Sequence, residues 1–203
     1  MQKEYTGFMI GVGFKVGRDS LCNFHHPKLN ISCTVHGDDF TSCGPEVAMN
    51  QFKAQIPAKY ESKRHMLGEN PNHEKSIRVL NRVLSWTLDG NQYEADQRHA
   101  DIVVEQLGLG EAKGVSTPGP KDDVDKALLN PGLPLHAQEA TEYRGLVARL
   151  NYLALDRSDI QFATRELARD VRAPLHEHLH QLKHVARYVF GAQDYRFEAV
   201  SYT

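Results

Sequence analysis

The sequence predicts an α+β fold: an antiparallel sheet with packed helices, followed by a small antiparallel helical bundle. Three observations lead there. Residues 29–44, LNISCTVHGDDFTSCG, alternate apolar and polar positions at period two and then reverse at Gly37, the pattern of a hairpin with one buried face. Residues 141–191 carry three apolar stripes at helical spacing, joined by short connections. Between them, 114–140 gathers Pro118, Pro120, Pro131 and Pro134 with Gly119 and Gly132, which interrupts regular structure and reads as a linker. The domains expected are therefore 1–113, a linker at 114–140, and a helical region at 141–203.

Taken in order, 8–14 reads as the tail of a helix weakened by Gly7, Gly11 and Gly13. Leu29, Ile31, Cys33 and Val35 then form the buried face of a strand, and 40–43 forms its partner. Pro45 suits a first helical position and Glu46 the positive end of a helix dipole. Met49, Phe52 and Ile56 give that helix one apolar face, and Pro57 ends it. Residues 60–67 and 77–87 read as strands, the second turning at Asp89-Gly90 into Gln92-Tyr93-Glu94. Asp96 caps a helix with Ala100, Val103, Val104 and Leu107 on one face, ended by Gly108. The three later stripes are Tyr143, Leu146, Val147, Leu150 and Leu153; then Ile160, Ala163, Leu167 and Val171; then Leu175, Leu179, Leu182, Ala186 and Val189, stopped at Gly191. Residues 196–202 fit a last strand or a frayed end.

A formal net charge of −2 gives no global attraction to nucleic acid, so any such binding must come from a local patch. Cys22, Cys33 and Cys43 lack CxxC spacing and are odd in number, which argues against a disulfide framework or a zinc site. No disulfide partner is expected, and the location expected is cytoplasmic or nuclear. No apolar run approaches the roughly 20 residues of a membrane helix, and no secretion signal opens the chain.

The chemistry-bearing stretch is the hairpin. Gly37 permits the positive φ of a two-residue turn, which puts Asp38 and Asp39 at the tip where ions reach them. Adjacent carboxylates repel, and a hard divalent cation makes that arrangement favourable. Turn aspartates also cap backbone N–H groups, so the acid pair alone leaves both roles open.

Resemblance goes further. Gly13-Phe14, Asp19-x-x-Cys22-x-Phe24 and an apolar strand into VHGDDF resemble the palm of a copia-type retrotransposon reverse transcriptase, whose acidic pair is usually written YVDD. His36 and Gly37 replace the Tyr and Val. Later blocks agree in order: Leu67-Gly68, Tyr143-Arg144-x-Leu146-Val147, Leu150-x-Tyr152-Leu153, Asp156-Arg157-Ser158-Asp159-Ile160, and Pro174 to His178 before Arg187-Tyr188-Val189-x-Gly191. The resemblance implies a partial polymerase palm and the start of a thumb, then a thumb or connection region. It implies Asp38 and Asp39 as catalytic ligands of Mg²⁺ or Mn²⁺. The partners implied are an RNA template, an RNA–DNA hybrid and deoxynucleoside triphosphates. The family's third carboxylate lies upstream in a strand reading roughly LDV and then AF, whereas this chain offers only Glu4 and Asp19 before Asp38. Little or no polymerase activity is therefore expected from this chain. A non-enzymatic remnant, a weak nucleic-acid-binding module and an unrelated metal-dependent phosphotransfer or nuclease domain are the alternatives.

For nucleic-acid contact the candidates are Arg144, Arg149, Arg157, Lys183 and Arg187, because phosphate contacts need clustered cations. His176, His178, His180 and His184 lack the acid of an HExxH arrangement and read as exposed or capping residues. His99 and His136 have no partner evident from the sequence.

Overall fold

Alternation at period two builds the first sheet, and helical stripes close most of the remaining chain. The computed structural model describes residues 2–56, 63–119, 132–192, 195 and 197–199. The chain divides into two compact units, Met1–Arg64 and His65–Thr203.

The first unit begins with α1 (Gln2–Gly11), which starts six residues before the helix tail expected at 8–14. Met9 is fully buried and anchors it, offsetting the poor helix propensity of Gly7 and Gly11. Gly13 comes next at φ 102°, and a Cβ there would lie 2.8 Å from His26 Nε2, so glycine is required at this crossing. The chain then forms β1 (Lys15–Val16), β2 (Asn23–His26), β3 (Ile31–His36) and β4 (Asp39–Cys43), an antiparallel sheet in that order. Burial in β3 alternates strictly, with Ile31, Cys33 and Val35 inside, as its spacing predicts. Strand β2 is not evident from the sequence, although Phe24 and His26 alternate inward in the same way. Four residues are too few for periodicity to declare itself.

Pro45 is the N-cap of α2 (Glu46–Gln55), one place earlier than expected, with an extended ψ of 140°. Ala48 and Phe52 pack α2 on the sheet, and the Phe52 ring lies 4.9 Å from that of Phe14. Full burial of a side chain such as Ile31 stabilises by roughly 1.5–3 kcal/mol, and Met9, Phe14, Phe24 and Phe52 share this core.

The second unit has a sheet of its own, where the sequence predicts one sheet in all. Its strands are β5 (Ser76–Val79), β6 (Arg82–Thr87), β7 (Gly90–Glu94) and β8 (Phe197–Ala199), antiparallel in that order. The strand expected at 77–87 is two strands, because Leu80 (φ 50°) and Asn81 (φ 67°) make a left-handed turn between them. The next reversal falls on Leu88 and Asp89, with Thr87 paired to Gly90. In the strand expected at 60–67, residues 63–66 are irregular and Leu67 makes only an isolated bridge to Glu74. Residues 60–62 lie outside the described residues.

Helices α3 (Arg98–Gln106), α4 (Ala137–Leu153), α5 (Gln161–Arg169) and α6 (His176–Gly191) bury the predicted stripes in one core. Helix α4 starts four residues inside the expected linker, where Glu139 accepts a hydrogen bond from the His136 N–H at 3.0 Å. The described ends of that linker are fastened. Arg187 Nε donates to the Lys113 carbonyl (2.8 Å), and Gly114 meets Gly191 backbone to backbone. On the other side Leu135 N–H donates to Pro174 O and His176 N–H to Leu133 O, each at 3.0 Å. Residues 120–131 lie outside the described residues. Gly191 is thus the last residue of α6 and a packing point as well as a stop.

Candidate functional site

Strands β3 and β4 close on the pair His36 and Asp39, so the turn holds only Gly37 and Asp38. Gly37 takes φ 65°, while nothing stands within 4 Å of its absent Cβ. Glycine is therefore demanded by the backbone and not by crowding: a two-residue turn entered at positive φ matches the twist of its strands. Asp38 sits in the turn, and Asp39 is the first residue of β4 rather than part of the tip. Both are exposed. Because side chains alternate, Asp39 shares the outer face with His36, Thr34 and Thr41, opposite the buried Cys33 and Val35. Asp39 and His36 thus share one end of a polar sheet face, with Asp38 next to them in the turn.

Carboxylate oxygens are the donors Mg²⁺ takes, and one or two suffice when water and substrate phosphates complete its shell. Asp38 and Asp39 fit that set. A metal pair needs more. Among the described residues no group of three His, Cys, Asp or Glu comes together that could hold a metal. Glu4 lies in α1 and Asp19 in an exposed loop before β2. The donor set here is thus two carboxylates, and no third protein ligand joins them among the described residues.

Most cations proposed from the sequence are spent on the fold. Arg157 is only 2% exposed; its guanidinium forks onto Asp159 (2.9 and 2.7 Å), reaches the Ala192 carbonyl at 3.2 Å and lies 4.3 Å from the Tyr195 ring. It is a buried fastening and not a phosphate contact, which corrects that expectation. Burial pushes Asp159 up, but the Arg157 hydrogen bonds and charge outweigh it and hold the carboxyl below its ordinary range. Arg144 Nε donates to the Val171 carbonyl (2.8 Å), and Arg187 is tied to Lys113. Arg149 and Lys183 have no hydrogen-bond or ion-pair partner among the described residues.

The block 156–160 is therefore structural. Asp156 accepts from Arg82 Nε (2.8 Å) and the Tyr93 hydroxyl (2.5 Å), joining β6 and β7 to the end of α4. Burial, then Asp156, pushes the Tyr93 phenol up to about 12. Ile160 is fully buried. Tyr143, from another block, donates its hydroxyl to the Leu167 carbonyl at 2.8 Å inside the core.

Two of the four histidines cap or tether, and none of the four is exposed as expected: all are half-buried. His178 Nδ1 accepts from the Leu175 N–H at 3.1 Å, and His184 Nε2 lies 3.0 Å from the Thr117 carbonyl. His99, whose partner the sequence does not reveal, packs against Tyr152 with ring centroids 4.5 Å apart and planes tilted by 44°. The three cysteines are free, and among the described residues no helix is long and apolar enough to cross a membrane.

The surface also carries a groove that sequence reasoning does not anticipate. It is open, has a volume of about 620 Å³ and runs along α5 and the end of α4, beside a 3₁₀ turn at Ser158–Ile160. Phe162, 76% exposed, stands beside it. An aromatic displaced from the stripe of its own helix was the available signal.

Among known proteins the chain is 36% identical over 199 residues to the retrovirus-related Pol polyprotein from transposon RE2 of Arabidopsis thaliana. It is 39% identical over 195 residues to that from transposon RE1 of the same plant. Each match covers 95% of this chain and 12% of the relative, so the chain spans about an eighth of the length of these relatives. No family model matches it, and no solved structure does.

Proposed function

We propose that this chain is the later part of a copia-type reverse-transcriptase palm together with the adjoining helical region. The observation that carries the reading is the β3–β4 end. There Asp38 and Asp39 are held adjacent and exposed by a two-residue turn, in a chain similar over nearly all its length to retrotransposon Pol polyproteins.

In the intact parent the reaction is template-directed nucleotidyl transfer: a primer 3′-oxygen attacks the α-phosphorus of a deoxynucleoside triphosphate, and pyrophosphate leaves. A Mg²⁺ held by Asp38 and Asp39 would supply charge stabilisation of several kcal/mol. The chain's own contribution would be positional, since a two-residue turn sets Asp38 and Asp39 side by side and exposed, and alignment of reactants lowers the barrier. Alone, with no further acid grouped at the pair among the described residues, the chain is expected to be inactive.

Primer extension on an RNA template with deoxynucleoside triphosphates and Mg²⁺ or Mn²⁺ tests this. The expected result is no product above background. Robust template-dependent synthesis that disappears in Asp38→Asn would overturn it.

The same absence of a grouped third acid favours a second reading, a remnant that only binds nucleic acid. Affinity for an RNA–DNA hybrid that falls linearly in log–log plots against salt supports the binding module. No affinity at low salt leaves an inert remnant.

A further inference from the structure

We propose that the groove between α4 and α5 is a subsite for single-stranded nucleic acid, with a base stacked on Phe162 and a phosphate on Arg165. This inference rests on the nucleic-acid reading above and places the contact at residues that reading does not use.

The lining is suited to one base and its phosphate. Asn151, Ser158 and Arg165 supply polar groups, while Leu155 (71% exposed) and Phe162 (76% exposed) supply apolar surface that water covers poorly. An exposed aromatic beside a cation is the pairing by which proteins hold single strands, because every base has a face to stack and every nucleotide a phosphate.

Charge complementarity selects the occupant. The neighbouring acids are already neutralised: Asp156 by Arg82, Asp159 by Arg157 and Glu166 by Arg169. Arg165 has no carboxylate partner among the described residues, which leaves one net positive charge at the groove. An apolar peptide would bury that cation without compensation, whereas a phosphate pairs with it. A single strand is favoured over a duplex, since paired bases present no free face to Phe162.

The test is binding of a fluorescent oligopyrimidine to the 203-residue chain over a salt series. Phe162→Ala is expected to weaken binding about tenfold with the salt slope unchanged. Arg165→Ala is expected to weaken it and to reduce the slope by about 0.7, one phosphate contact on a single strand. A duplex of the same sequence should compete poorly. Both side chains are outside the core, and thermal unfolding of each variant checks that the fold is kept. Wild-type binding that neither substitution alters would overturn the subsite while leaving the broader reading standing. Absence of any salt-dependent binding by the wild type would overturn both.

Discussion

At the scale of single residues, charge and burial decide which polar side chains hold the fold and which remain available for chemistry. Arg157 and Asp96 belong to the first group. Asp96 is 3% exposed and receives the Arg98 Nε and NH2 groups at 2.9 and 2.7 Å as well as the Arg98 backbone N–H. Those side-chain hydrogen bonds, more than any other cause, hold its carboxyl below the usual carboxylate range. The fold therefore prefers the ionised form. Its stabilisation is fully present above about pH 3.9, the ordinary aspartate value, and is lost as pH falls through the lower folded-state value. Asp96→Asn should accordingly lower stability at neutral pH and make the loss of stability in acid shallower, as measured by urea unfolding from pH 7 to pH 3. Equal pH slopes in variant and wild type would contradict this. The helix-start role of Asp96 was legible in the sequence, because Asp before an apolar period is a known signal. Its burial was not. Nor was that of Arg157: an arginine in a string of letters looks the same whether it faces a phosphate or a carboxylate two residues away.

At the scale of elements, long periodic stretches were readable and short ones were not. The α4 stripe of Tyr143, Leu146, Val147, Leu150 and Leu153 is buried as spaced, and so is the β3 face. Strand β2 and the break between β5 and β6 were hidden because each depends on a few residues whose conformation tertiary packing selects. Leu80 shows the cost: a β-carbon-bearing residue at φ 50° carries strain of about 1–2 kcal/mol, which the partial burial of this residue, 40% exposed, offsets in part. Leu80→Gly removes that strain along with the buried part of the side chain, so it should change stability by less than about 1 kcal/mol in chemical denaturation. A larger loss of stability would show instead that the Leu80 side chain contributes more than its exposure indicates. Asn81, at φ 67°, is of a type that tolerates the left-handed region, and it was the one signal of the turn that the sequence held.

At the scale of the whole molecule, similarity to retrotransposon Pol polyproteins and the acidic hairpin point the same way, while the chemistry is carried by very few groups. Several of the resembling blocks serve packing: Tyr143, Asp156 and Arg157 tie helices and strands of the second unit together. The hairpin was readable from Gly37 and the alternation of β3, although Asp39 opens β4 and does not sit at the tip. The exposed Phe162 groove was not, because a surface assembled from α4, a turn and α5 has no contiguous pattern. Under the proposed function, Asp38 and Asp39 form a place where a divalent ion settles. Paramagnetic broadening of backbone amide signals during titration with Mn²⁺ tests it directly. Broadening centred on residues 36–40, weakened by competing Mg²⁺ and lost in the double variant Asp38→Asn, Asp39→Asn, is the result expected. Broadening elsewhere, or at the same amides in that double variant, would contradict it.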